Sequence, residues 1–259
     1  MNCLPISVCM ISGAEAHRIV RAFDSVAGWT SEIIVVLNDD VNDGTEEICR
    51  RYGARVFREP WKGYIAQKNS AADKTTSEWL FNLDADEEVT PALRDEIQRA
   101  VANPNDCVAF DFPRYTNFCG QWIRHGDWYP DRQTRIWRKG RACWDGINPH
   151  TRLIVTGRVG RLKHDLLHRS METLDDQVRK AVVYADIFAH ECAARQRRIG
   201  WANIVLRPAW RFLRAYFFKL GFLDGRQGYV IAKMTAFYTF LRYLKAYEAT
   251  TRRKSTTVS

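Results

Sequence analysis

Over the first hundred residues the apolar positions switch repeatedly between a strand-like and a helix-like pattern. "ISVCMI" (6–11), "EIIVVLN" (32–38), "ARVFRE" (54–59) and "EWLFNLD" (78–84) are short runs rich in apolar and β-branched residues, as buried strands are. Between the first two, Ile19, Val20, Phe23 and Val26 recur at helical spacing. Asp43 suits the N-cap of a short helix carrying Ile48 and Tyr52, and a further helix covers 65–73. Thr90 followed by Pro91 starts another helix, which runs through Val101. This β-α-β-α order predicts an α/β fold: a mostly parallel, Rossmann-like sheet flanked by helices. Ligands are then expected beyond the carboxyl ends of the strands.

From residue 107 the pattern changes. "CVAFDFPRY" and "RQTRIWRKG" read as strands, yet the long aromatic loop "TNFCGQWIRHGDWYPD" joins them where a helix would be expected. Loops of this kind on a rigid sheet are where acceptor contacts tend to sit. Residues 171–196 are helical again.

A different segment begins near residue 201. Leu206, Trp210, Leu213, Phe217 and Leu220 form one face beside Arg207, Arg211 and Arg214. After "GFLDGRQG", Val230, Met234, Phe237, Leu241 and Leu244 repeat the arrangement against Lys233, Arg242 and Lys245. Two amphipathic helices are predicted, and with them a division into 1–200 and 201–259. Charge sharpens this division. Residues 201–259 hold eleven Lys/Arg against Asp224 and Glu248, which accounts for the whole net charge of +9, while residues 1–200 carry 28 of each sign. A neutral body with a basic, aromatic tail predicts a peripheral anchor on an anionic membrane surface through residues 201–254; packing on the body or on a second subunit is the competing use of the same stripes. No nucleic-acid module accompanies the charge, so nucleic acid is not expected as a partner.

Composition is that of a globular chain, at 46% hydrophobic, 27% charged and only 8 prolines in 259 residues. The seven cysteines are scattered and form no CxxC pair, so neither a disulfide framework nor a zinc site is expected. The N-terminus lacks the basic and apolar regions of an export signal, and no run is long enough to span a bilayer. The expected setting is the cytoplasm.

Chemistry is concentrated in "LDADEEVT" (83–90). On an extended strand Asp84 and Asp86 project to the same side, and two such carboxylates repel unless a cation compensates. A hard divalent ion, Mg²⁺ or Mn²⁺, bridging to substrate phosphates would do so. Alternatively the cluster is a solvated turn in which Glu87 and Glu88 favour the dipole of the helix capped at Thr90. A second acidic turn, "NDDVNDGTEE" (38–47), offers Asp39, Asp40 and Asp43 as acceptors for ribose hydroxyls or a base edge.

In order along the chain, "ISVCMIS", "EIIVVLNDDVNDGTEEI", "WKGYIAQKNSA" and "WLFNLDADEEVTPAL" resemble the family 2 glycosyltransferases, inverting sugar-nucleotide enzymes of GT-A fold. With "WYPDRQTRIWRKG", "GRLKHDLLH" and "DGRQGYVIA", the chain is most similar to lipopolysaccharide core glycosyltransferases of the WaaE/LgtF type. The resemblance implies a UDP-sugar donor, a hexose such as glucose, and a lipopolysaccharide inner-core or related lipid-linked acceptor, handled at the cytoplasmic face of the inner membrane. It makes Asp84 and Asp86 a metal-binding D-x-D pair around Ala85. It also places Ser12, Glu15, Asn38, Asp39, Asp43, Lys62, Gln67, Lys68 and Asn69 near the donor.

An inverting transfer needs a base for the acceptor hydroxyl. The resemblance points first to Asp145 in "CWDGINPH", then to His150, then to Asp127 and Asp131 in "HGDWYPDRQ". His164 and His168 read as structural. The chain departs from its relatives at Thr151, where they carry Glu, at Asn38, where they carry Asp, and at "SGAEAH". Those departures motivate a competing expectation, a non-catalytic membrane-associated scaffold of the same fold. A nucleotidylyltransferase would need a Gly-rich basic loop after the first strand, and "SGAEAHR" has a single Gly.

Overall fold

The computed structural model describes residues 3–147, 150–171 and 174–256. In chain order its elements are β1 (Leu4–Ser12), α1 (Ile19–Val26), β2 (Thr30–Asn38), α2 (Thr45–Arg51), β3 (Arg55–Glu59), α3 (Tyr64–Asp73), β4 (Trp79–Asn82), β5 (Glu87–Val89) and α4 (Pro91–Ala102). Then follow β6 (Cys107–Phe118), β7 (Gln121–Trp122), β8 (Asp131–Arg138), β9 (Ala142–Ile147), β10 (His150–Val155), β11 (Arg158–Arg161), β12 (Leu166–Met171), α5 (Leu174–Ala194), α6 (Trp201–Leu213) and α7 (Gly225–Thr256). A π-helical turn at Arg214–Phe218 and a 3-10 turn at Gly221–Asp224 connect α6 to α7.

The main sheet runs β3-β2-β1-β4-β8-β6-β12-β5. Its first four strands are parallel, as the β-α alternation predicts. Beyond them the sheet is mixed: β4 pairs antiparallel with β8, and β5 with β12. Strand alternation divides the core into two layers. Ile6, Val8 and Met10 of β1 meet the buried stripe Ile19, Phe23 and Val26 of α1, together with Leu93 and Ile97 of α4. Cys9, Val36 and Leu80 face the other way, onto Ala71 of α3, Trp137 and Trp144. Thr90 caps α4 by accepting from the Leu93 N–H at 3.2 Å, with Pro91 in the first turn, as the sequence predicts.

Gly44, with φ of 92°, occupies the position before α2, and the Asp43 carboxylate one residue earlier caps the helix by accepting from the Thr45 N–H at 3.0 Å. One correction concerns the other acidic turn. Glu87 and Glu88 do not start α4; they form β5, and Glu87 is fully buried.

The chain divides into two compact units, Met1–Arg114 with Arg132–His168, and Tyr115–Asp131 with Arg169–Ser259. The sequence-based division at residue 200 therefore falls inside the second unit. Within that unit α7 packs on α5 and α6. Where α7 passes the 3-10 turn, a Cβ on Gly228 would lie 1.8 Å from the Gly221 carbonyl oxygen and 3.1 Å from the Asp224 Cβ. A backbone atom cannot give way as a flexible side chain can. Gly228→Ala is expected to destabilise this unit by about 1–3 kcal/mol, seen as faster limited proteolysis within 201–256; unchanged proteolysis would show that the turn opens without cost. Among the described residues no helix is long and apolar enough to cross a membrane.

Candidate active site

The carboxyl ends of β1, β2 and β4 bring the acidic turns together within the first unit. β4 ends at Asn82, so Asp84 and Asp86 sit on the turn after it and not on an extended strand. Each carboxylate therefore has its own partners. Asp84 accepts from Arg135 Nη2 at 2.8 Å, Lys68 Nζ at 3.1 Å and Asn82 Nδ2 at 3.3 Å. The same Arg135 nitrogen reaches Glu87 Oε1 at 2.6 Å, and Arg114 Nη1 lies 3.4 Å from that oxygen. Burial works against the charge on Asp84, but Arg135 and Lys68 outweigh it and hold the carboxyl well below the usual carboxylate range. The chain's own cations, then, offset the repulsion that the sequence poses.

Asp86 turns elsewhere. Its Oδ2 lies 3.5 Å from His168 Nε2 and 3.9 Å from Arg18 Nη1. Burial works against its charge, and the His168 contact and Arg18 together outweigh it, so the net shift is downward. His168 comes within reach because β12 pairs with β5, placing His168 opposite Glu87. His164 has the structural role expected of it, its Nδ1 2.8 Å from Glu96 Oε2, and His168 is likewise paired and itself largely buried, its partner being Asp86.

Arg18 also pairs with Glu15, through Nη2 to Oε1 at 2.8 Å. Asp43 ties the two turns: it accepts from Ala16 N–H at 3.1 Å and from the Thr45 hydroxyl at 2.6 Å. Burial opposes its charge, and these donors together outweigh it and hold Asp43 below the usual range. Asp39 is exposed, its backbone bonded to Glu59. Ser12 is buried and donates to the Gly13 carbonyl at 3.0 Å. At the end of β2, Gln67 Nε2 donates to Asn38 Oδ1 at 3.5 Å, while Gln67 Oε1 is buried with no hydrogen-bond partner among the described residues.

Two expected donor residues point away from this cluster. Lys62 donates to Glu59 at 2.7 Å, in a group completed by Lys74 and Ser70. Asn69 clamps the backbone of Trp144 in β9, donating to its carbonyl at 3.0 Å and accepting from its N–H at 2.9 Å. Lys68 sits over the Trp144 ring at 4.6 Å.

The hairpin β9–β10 bears on the base. Ala142, Trp144, Leu153 and Val155 face the core, so Thr151 shares their side and Asp145, paired with Arg152, is exposed on the opposite one. His150 begins β10, and its side chain lies outside the described residues. Asp127, in the second unit, is surrounded by Arg214 at 2.7 Å, Lys219 at 3.0 Å and Arg211 at 3.2 Å, which makes it an internal anchor. Asp131 opens β8, while Arg132 pairs with Asp111 and Arg135 with Asp84 and Glu87.

Among the described residues no group of three or more His, Cys, Asp or Glu is gathered for a metal. Asp86 and His168 still supply one carboxylate and one imidazole nitrogen, both largely buried. Such a pair fits a divalent ion that takes its remaining ligands from phosphate and water.

Residues 7–156 match the model of glycosyl transferase family 2. An uncharacterised glycosyltransferase of Rickettsia prowazekii (strain Madrid E) is 31% identical over 257 residues, covering 93% of this chain and 86% of its own. A lipopolysaccharide core biosynthesis glycosyltransferase, LpsC of Rhizobium meliloti (strain 1021), is 27% identical over 252 residues, covering 95% and 93%. Among solved structures, the mannosyltransferase PcManGT from Pyrobaculum calidifontis, in complex with GDP-Man and Mn²⁺, superposes with a TM-score of 0.56 at 14% identity, covering 95% of this chain and 88% of that one.

Proposed function

From the premise that the chain belongs to glycosyl transferase family 2 and is a glycosyltransferase of GT-A fold, we propose that it moves a hexose, glucose first among the candidates, from a UDP-sugar to an acceptor hydroxyl with inversion. The acceptor is a lipopolysaccharide inner-core saccharide or a related lipid-linked one, met at the cytoplasmic face of the inner membrane. The likeness to LpsC supports this reading of the acceptor.

The observation that carries the donor reading is the pairing of Asp86 with His168 at 3.5 Å, beside Arg18 and next to the Asp84–Arg135–Lys68 cluster. A divalent ion held by Asp86 and His168 would supply Lewis-acid stabilisation of the diphosphate leaving group. Arg18 adds a positive charge on the same side. Arg135 and Lys68 fix Asp84, and so the turn carrying Asp86, ahead of substrate binding. The unpartnered Gln67 Oε1, beside Asn38, suits an N–H on the edge of the base. For the acceptor proton, Thr151 on the inner face of β10 can bond a hydroxyl but cannot hold its proton, and Asp145, His150 and Asp131 stand as the sequence-based candidates.

A thermal-shift panel of UDP- and GDP-sugars, with and without Mn²⁺, tests donor and metal together. The expected result is a rise in Tm with UDP-sugars that requires Mn²⁺ and falls at least about tenfold in apparent affinity in His168→Ala. A shift with GDP-sugars alone would overturn the uridine assignment, and a shift indifferent to Mn²⁺ would overturn the metal.

A further inference from the structure

The second unit exposes a continuous apolar surface. On α6, Leu206, Trp210 and Leu213 are exposed on one side of the helix, and the turns that follow add Phe217, Phe218 and Leu223; Phe218 is 71% exposed. The basic residues of α6 do not flank this face as the sequence predicts. Arg211 and Arg214 turn to Asp127, and Arg207 bonds Asn203 and the Tyr243 hydroxyl. Their guanidinium groups are bonded within the unit, and the Leu206–Trp210–Leu213 side continues into Phe217 and Phe218.

The same unit fastens one loop to this surface. Asp224 is buried and accepts from the His125 N–H at 2.7 Å and the Arg124 N–H at 3.3 Å, with His125 Nδ1 at 3.0 Å. The Lys219 carbonyl accepts from Gly126 N–H at 2.8 Å, and Asp127 gathers its three cations next to it. Loop 121–127 is therefore bonded to the tip at 217–223 and to Asp224 beside it.

We propose that the outer face of α6 and this tip insert into the interface of an anionic bilayer, and so hold loop 121–127 at headgroup level. The inference rests on the lipid-linked acceptor reading and names the partner surface and the side chains that meet it. Charge selects the occupant. Residues 201–259 carry a net +9, Lys219 and Arg226 are exposed at the tip, and Asp224 is turned inside. The exposed Glu248 lies 22 residues along α7 from Arg226, roughly 30 Å away. A second copy of the chain would bring the same positive segment against itself. Trp and Phe on an apolar side bordered by cations suit entry at the level where headgroups meet acyl chains.

The test is co-sedimentation of the full chain with phosphatidylcholine vesicles with and without phosphatidylglycerol, for the parent and for the Trp210→Ser, Phe218→Ser double variant. Both side chains are exposed, so the fold is retained and UDP binding with Mn²⁺ by calorimetry stays unchanged. The expected result is preferential binding of the parent to phosphatidylglycerol vesicles, lost roughly tenfold or more in the variant. Equal binding by the two proteins, or no binding by the parent, overturns the proposal. So does a parental dimer by light scattering that the substitutions dissolve, which would assign the face to a second copy. Lost UDP binding in both proteins with vesicle binding intact would strike the donor reading alone.

Discussion

Asp86→Ala is expected to abolish Mn²⁺-dependent UDP binding and to lower transfer by about 10³-fold, with the fold unchanged. The structure separates the two aspartates in a way the D-x-D spacing does not show. Asp84 is committed to Arg135 and Lys68, whereas Asp86 faces His168 and the Arg18 guanidinium. Removing the Asp86 carboxylate deletes the only hard anionic ligand of the proposed pair, and the imidazole alone binds Mn²⁺ or Mg²⁺ weakly. The variant gives up no ion pair shorter than 3.5 Å, so its Tm should stay close to the parent's. Isothermal calorimetry with UDP and Mn²⁺ decides the matter: binding at parental affinity in Asp86→Ala would remove the metal assignment.

The second large effect concerns stability. Arg135→Met is expected to cost about 3–5 kcal/mol and, for a chain of this size, to lower Tm by roughly 6–20 °C. Arg135 is 4% exposed and satisfies Asp84 and the fully buried Glu87 together. Without it two carboxylates share Lys68 and the more distant Arg114. Arg135→Lys keeps the charge, and since a single Arg135 nitrogen, Nη2, meets both carboxylates, a smaller loss is expected. The pH dependence has a definite sign. Asp84 is depressed in the folded parent, so its contribution is complete above the ordinary carboxylate range and is lost as pH falls through the depressed value. In the variant the same group is freed from Arg135 and takes up its proton at higher pH. The gap between parent and variant is therefore widest near neutrality and narrows on acidification. Denaturation midpoints that differ by less than 1 °C at pH 7 would refute the network's role.

Local patterns carried much of this fold. The four parallel strands and their helices announce themselves through apolar runs and caps, because each is specified by residues close in sequence. β5 does not, since "EEV" is a strand only because β12 lies beside it. His168 was hidden for the same reason: nothing in "LKHDLLH" says that its last residue reaches Asp86 until that register is known. Asn69 carries the opposite lesson. The resemblance of "WKGYIAQKNSA" puts Asn69 near the donor, yet its amide holds the Trp144 backbone, 75 residues away, instead of facing the donor cluster. The basic stripes of the tail were legible as composition, while their inward turn depends on Asp127, which no periodicity in 201–259 could reveal.

The fastening of loop 121–127 has a consequence for the order in which the chain can be made. His125 and Asp224 are 99 residues apart, and no earlier acceptor replaces Asp224 in the contacts described. At a synthesis rate of about 5–20 residues per second, the loop leaves the ribosome roughly 5–20 s before its anchor does. β1 to β4 can pair during that interval, whereas the aromatic loop waits. A chain that stops at residue 200 would never acquire Asp224, Lys219 or Arg214, and would keep that loop permanently in its nascent state.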